Sequence, residues 1–221
     1  MKNKKKRKIS ELQLILTILF VSSLLISNVI TSKQVLLPFN ITMTGAVFIF
    51  PLTYILSDVF GEVYGYRWNR ITCYLAFAMN LLMITVFSAV IITPAPSYWT
   101  NQQAFQIVLG NTPRILIASL LAFILGDLIN DIVFKKMKAK HPNDHKGFGY
   151  RAILSSVCGE LVDSLIFLPI AFIGLMPIST LAIMTIMQVL IKTGYEILIL
   201  PLTNIVVKLV SKYEKSLEGV K

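Results

Sequence analysis

Long apolar stretches separated by short polar intervals set the pattern of this chain. Mostly apolar runs of about 20 residues, enough to cross a hydrocarbon core of roughly 30 Å as helix, fall near residues 12–31, 43–63, 71–93, 114–134, 152–174 and 178–203. The pattern predicts an all-α integral membrane protein with six transmembrane helices. The first run is too long for a signal peptide and lacks a small-residue cleavage site, so it reads as a retained helix. Two connections exceed a tight turn. The stretch "TPAPSYWTNQQAFQIVLGNTP" carries paired prolines and a middle able to form a short interfacial helix. Residues 135–150 are polar, basic and glycine-bearing, and read as a cytoplasmic linker between two three-helix halves. The whole of 1–221 is expected to be a single transmembrane domain, with no room for a soluble catalytic domain.

Composition sharpens this reading. Hydrophobic residues make up 55% of the chain and charged residues 14%, whereas about 25% of a soluble domain is charged. With the N-terminus inside, "KNKKKRK", Arg67 and Arg70, "KKMKAKHPNDHK" with Arg151, and the lysines after residue 207 are all cytoplasmic, leaving Lys33, Arg114 and Lys192 elsewhere. The positive-inside rule then puts both termini in the cytoplasm, with Trp68 and Trp99 in the two aromatic belts. The net charge of +10 is spread over membrane-flanking loops. Topology and the anionic lipid bilayer explain it better than nucleic acid, so no nucleic-acid partner is expected. Cys73 and Cys158 suggest neither a disulfide framework nor a metal site. His141 and His145, in "HPNDH", fit a solvated turn better than a metal site. The sequence calls for no cofactor.

The chemistry resides in acids placed where acids are costly. Asp58, Glu62, Asp127, Asp131, Glu160, Asp163 and Glu196 lie in or at the edge of the apolar runs. At roughly 2.5 to 3.5 kcal/mol for each charge at a helix centre, leaving all of them against lipid would cost on the order of 20 kcal/mol, more than a typical domain's whole stability. They must face one another, a base, water or a ligand. Asp58 and Glu62, Asp127 and Asp131, and Glu160 and Asp163 each share one side of a helix by their spacing. Like charges so placed repel unless a proton, a cation or a donor group lies between them. Gln188, Lys192 and Glu196 form a polar stripe at four-residue steps, in which Lys192 and Glu196 can neutralise each other. Asn28 and Asn80 can act as interhelical hydrogen-bond partners. Arg114 and Lys33 can snorkel to the outer headgroups. Pro51 and Pro169 are expected to interrupt their helices about two turns outward of the acids, freeing backbone groups to line a cavity. Pro51 precedes its acids and Pro169 follows its own, so no inverted repeat is assigned.

"NVITSK" (Asn28 to Lys33), "SDVFGEVYG" (Ser57 to Gly65), "LGDLIND" (Leu125 to Asp131), "VDSLIF" (Val162 to Phe167) and "KTGYEILILPLT" (Lys192 to Thr203) together carry a likeness over essentially the whole chain. With these motifs the chain resembles the queuosine precursor transporter family, also described as vitamin-uptake-like. The resemblance implies a multi-pass importer in the bacterial inner membrane. Its cargo would be a 7-deazaguanine base used to make queuosine in transfer RNA: 7-cyano-7-deazaguanine, 7-aminomethyl-7-deazaguanine or queuine. One carboxylate, Asp163 or Asp127, can accept the ring N1 hydrogen and 2-amino group together. Phe167, Tyr195, Tyr54 or Tyr64 can stack on the base at roughly 1 to 3 kcal/mol. Asn28 or Gln188 can meet the ring oxygen or the 7-substituent. The candidate substrate or translocation residues are therefore Asp163, Asp127, Asp58, Glu62, Glu160, Glu196, Lys192, Asn28, Gln188, Phe167 and Tyr195.

No Gly-rich phosphate loop is present, so secondary transport is the expected mode, with protons as the candidate coupling ion. Monomer and oligomer both stay open. A substrate-binding membrane subunit of an ATP-driven vitamin-type importer is the alternative. An intramembrane aspartyl protease built on Asp58 and Asp127 is a distant one: it needs two opposed acids sharing a proton, and Asp127 follows "ILG" where such proteases carry Gly-x-Gly-Asp. The expectation is a transporter and not an enzyme.

Overall fold

The structure, a computed structural model, describes residues 9–140 and 148–219. His141 and His145, and the side chain of Asp131, lie outside the described residues. The chain begins with α1 (Glu11–Ile30), whose N-cap Ser10 accepts from the Gln13 amide at 2.9 Å, satisfying one of the amides that a helix start leaves open. A two-stranded antiparallel hairpin follows, β1 (Gln34–Leu37) and β2 (Ile41–Thr44). After it come α2 (Phe50–Val59), α3 (Tyr66–Ile92), α4 (Gln102–Leu109), α5 (Thr112–Lys140), α6 (Phe148–Phe172) and α7 (Ile178–Gly219). Among the described residues, α1, α3, α5, α6 and α7 are long and apolar enough to cross a membrane. The amphipathic α4 occupies the middle of the proline-bearing connection, where a short helix is expected.

The second apolar run departs from the expected uninterrupted helix over 43–63. It opens in β2, turns through a 3-10 segment (Gly45–Phe48), continues as the ten-residue α2, and finishes as a π-helical turn (Phe60–Tyr64). The causes are local. Ile41, Thr42 and Thr44 are β-branched and favour extended backbone. Gly45 lies so close to the end of α1 that a Cβ on it would sit 2.5 Å from the Ile30 carbonyl oxygen. Pro51, without an amide hydrogen, starts α2 within its first turn, where that hydrogen would have no helical partner. Gly65, at φ +84°, breaks the path between the π-turn and α3. Pro169 does not produce the expected interruption: α6 runs through it to Phe172.

Two apolar clusters mark the ends of the bundle. One joins α5, α6 and α7 through Ala118, Leu168, Phe172, Leu181 and Met184. The other joins α1, α2, the π-turn, α3 and α7 through Leu16, Phe20, Phe60, Tyr64 and Val210. Along α7 the polar residues Lys192 and Glu196 fall between these clusters, so apolar packing above and below confines the charged level. The second cluster is sealed by a buried acid of α7. Glu214 is 5% exposed and accepts from the Ser10 hydroxyl and, at 2.9 Å, from the Tyr64 hydroxyl. Ser10 thus caps α1 and ties it to α7.

Candidate functional site

A close crossing of α5 and α6 builds the site. Gly126 of α5 and Gly159 of α6 meet backbone to backbone: a Cβ on Gly159 would lie 2.9 Å from the Gly126 carbonyl oxygen, and one on Gly126 would lie 3.0 Å from that of Gly159. The same crossing sets Gly126 beside Asp163 and Gly159 beside Asn130, four residues beyond each glycine. Absence of side chains at the crossing leaves the acids one position on, Asp127 and Glu160, at the edge of a common space. That space is a cavity of about 340 Å³ whose walls include Asp127, Asn130, Glu160, Asp163, Lys192 and Glu196.

Lys192 is its charged centre. Its Nζ lies 2.9 Å from Glu160 Oε2 and donates to Asp163 Oδ2, with the face of Phe50 5.4 Å away in cation–π range. Residue 192 is only 7% exposed, so the ammonium replaces its water by two carboxylates and a ring. Sequence spacing allowed Lys192 to neutralise Glu196 one turn along; the lysine instead reaches across to α6. Tyr54 donates its hydroxyl to Glu160 Oε1 at 3.3 Å. Asp127, which has no basic neighbour in sequence, receives Arg70 of α3 at 3.0 Å on Oδ2. Glu196 keeps a hydroxyl neighbour, Ser156, and no cation among the described residues.

Aromatic rings supply the apolar walls. Phe50 and Tyr54 lie 6.3 Å apart, and Phe77 and Phe123 lie 5.5 Å apart; all four line the cavity. Phe50, Arg70, Phe77, Phe123 and Asn130 were missed in the sequence, because an aromatic in an apolar run and an arginine near a helix end carry no distinguishing signal. The Gly-acid pairs of α5 and α6 were the available clue to the crossing.

The remaining sequence candidates stand elsewhere. Asp58 and Glu62 are exposed in the last part of the broken second segment, with Ser57 rather than Asp58 reaching the cavity wall. Asn28 donates to Asn80 at 2.6 Å, and Asn80 donates to the Ala76 carbonyl, so this pair ties α1 to α3. Phe167 packs edge-on to Phe172. Tyr195 is half-buried away from the cavity wall, and Gln188 is buried on α7 with its Oε1 without a hydrogen-bond partner. Tyr64 belongs to the Glu214 cluster. Arg114 donates to the Ile170 and Ile173 carbonyls at the end of α6, where a cation also suits the helix dipole.

A polar, charge-lined cavity inside apolar helices is the arrangement of a membrane carrier, and comparison with known proteins bears on which. The family model described as "Putative vitamin uptake transporter" matches residues 44–206. The chain belongs to this family. It is also 27% identical over 178 residues, 80% of this chain and 77% of the other, to the "Probable queuosine precursor transporter" of Bacillus subtilis (strain 168). No solved structure matches. This member of the vitamin-uptake family is therefore a multi-pass membrane protein with a transporter role, in keeping with its long apolar helices.

Proposed function

We propose that this chain imports 7-deazaguanine queuosine precursors as a secondary transporter of the bacterial inner membrane. The observation that carries the reading is the charge-lined cavity at the Gly126–Gly159 crossing, in a chain similar over most of its length to a queuosine precursor transporter. Its volume of about 340 Å³ lies in the range of roughly 300 to 1,000 Å³ usual for small-molecule sites. Carboxylates on two helices and aromatic pairs on two walls supply what a guanine-type ring needs: an acceptor for N1–H and the 2-amino group, and flat apolar faces. Asp163 or Asp127 reads that edge of the ring, and a ring of Phe50, Tyr54, Phe77 or Phe123 stacks on it. One oxygen of each acid is held, by Lys192 and Arg70 respectively, so substrate must share or displace a protein cation.

In this reading the broken segment through α2 is the sixth crossing, both termini are cytoplasmic, 1–221 is one transmembrane domain, and 135–150 is a cytoplasmic linker. Protons are the candidate coupling ion. Asp58, Glu62, Glu160, Glu196 and Lys192 contribute to the path, while Asn28, Gln188, Phe167 and Tyr195 support its helices from outside the cavity wall.

The test is uptake in a bacterium that can neither synthesise the queuosine precursor nor import it, fed each deazaguanine at nanomolar supply, with queuosine in transfer RNA as the readout. Wild type restores queuosine; an expressed and inserted Asp163→Asn does not. Restoration by wild type that Asp163→Asn and Asp127→Asn both leave unchanged would remove the acids from ring recognition.

A further inference from the structure

The cavity's acids outnumber the cations that serve them, and among those acids Glu196 has no ion pair with a described residue. Its walls carry Asp127, Glu160, Asp163 and Glu196. Lys192 serves Glu160 and Asp163, and Arg70 serves Asp127. Glu196 is left with the Ser156 hydroxyl and no ion pair of its own among the described residues, and the acids Glu160 of α6 and Asp58 of α2 lie near it. A carboxylate so placed among like charges is relieved by a proton or by a positive partner from outside the described protein. An inorganic cation is a poor match: no group of three His, Cys, Asp or Glu side chains among the described residues could hold a metal ion. Open space beside the carboxylate favours a larger, organic cation. Four residues of α7, about 6 Å of rise, separate Lys192, which holds Asp163, from Glu196, comparable with the width of a fused two-ring base. A ring held by its amino edge at Asp163 can therefore direct its opposite substituent toward Glu196.

We propose that Glu196 is the counter-ion for a positively charged substituent of the substrate, so that this chain selects deazaguanines bearing a protonated aminomethyl nitrogen over the neutral cyano base. An alkyl ammonium of lysine type is charged at pH 7, and its N–H groups pair with a carboxylate by charge-assisted hydrogen bonds. A nitrile offers no donor and leaves Glu196 uncompensated. The inference rests on the deazaguanine reading above, but it can fail separately.

The experiment measures equilibrium binding of radiolabelled 7-aminomethyl- and 7-cyano-7-deazaguanine to the purified full chain at pH 7 in sodium-free buffer. Wild type is expected to bind the aminomethyl base at least about tenfold more tightly, and Glu196→Gln to reduce that margin to less than about twofold by weakening the aminomethyl base more than the cyano base. The variant's thermal unfolding midpoint in detergent reports that it is folded, and the wild-type preference is read without any variant. Equal binding of the two bases by wild type overturns the inference and leaves the functional reading in place. Equal weakening of both by Glu196→Gln overturns it in favour of a structural role. Cyano binding that rises to the aminomethyl level when sodium is added assigns Glu196 to an inorganic cation, which also overturns it. Binding of neither base overturns the functional reading and this inference together.

Discussion

Lys192 cannot be removed alone without leaving two carboxylates behind it. Breaking a buried ion pair from one side typically costs about 3 to 5 kcal/mol, because the orphaned charge stays desolvated. Lys192→Met is therefore expected to lower the thermal unfolding midpoint in detergent, and Lys192→Met combined with Glu160→Gln and Asp163→Asn to recover most of the loss. A triple variant as unstable as the single one would show that packing, not charge, holds this level. Glu214 gives a second case at residue scale. Tyr64→Phe deletes a donor to a buried carboxylate and should cost about 1.5 to 3 kcal/mol, the range for hydrogen bonds to charged groups, read by the same melt. The acids themselves were legible in the sequence, since a carboxylate in an apolar run is costly wherever it faces lipid. Their partners were not. Arg70 and Asp127 stand 57 positions apart in sequence, and Lys192 prefers two acids on another helix to the one a turn away. Periodicity reports which residues share a face of one helix and is silent about what that face meets.

Among elements, the α5–α6 crossing is the one that positions the chemistry. A methyl group on Gly159 has backbone 2.9 Å away and nothing flexible to displace, whereas one on Gly61 meets nothing within 4 Å. Gly159→Ala is thus expected to destabilise by about 1 to 3 kcal/mol, as overpacking does, and to widen the cavity at Asp127 and Glu160. Gly61→Ala should be near neutral in the same unfolding measurement. The long helices were readable because their apolar runs exceed the bilayer requirement, and α4 because its prolines and polar flanks isolate it. The second run was misread as continuous. Hydrophobicity averaged over 20 residues hides β-branched residues at its start, a glycine pressed on a neighbouring carbonyl and a proline in the first turn of α2. These features decide backbone path without changing mean hydropathy.

For the whole molecule, confinement of the charged level between two apolar clusters gives the cavity its carrier-like form, and the family match gives it a transporter's role. The proposed six crossings with both termini inside predict that a cytoplasm-dependent reporter fused at either end is active, and that single cysteines near Trp99 are labelled by an impermeant thiol reagent from outside. An inactive C-terminal fusion would reduce the crossings to an odd number and remove the broken segment from the count. The central claim, that this chain by itself moves a deazaguanine base, is tested most directly in proteoliposomes containing the purified protein and no ATP, by counterflow of labelled base into vesicles preloaded with unlabelled base. The account predicts saturable accumulation, competed by excess deazaguanine and lost in Asp163→Asn. No counterflow of any deazaguanine from correctly inserted protein would contradict it and leave the substrate-binding subunit of an ATP-driven importer as the reading to pursue.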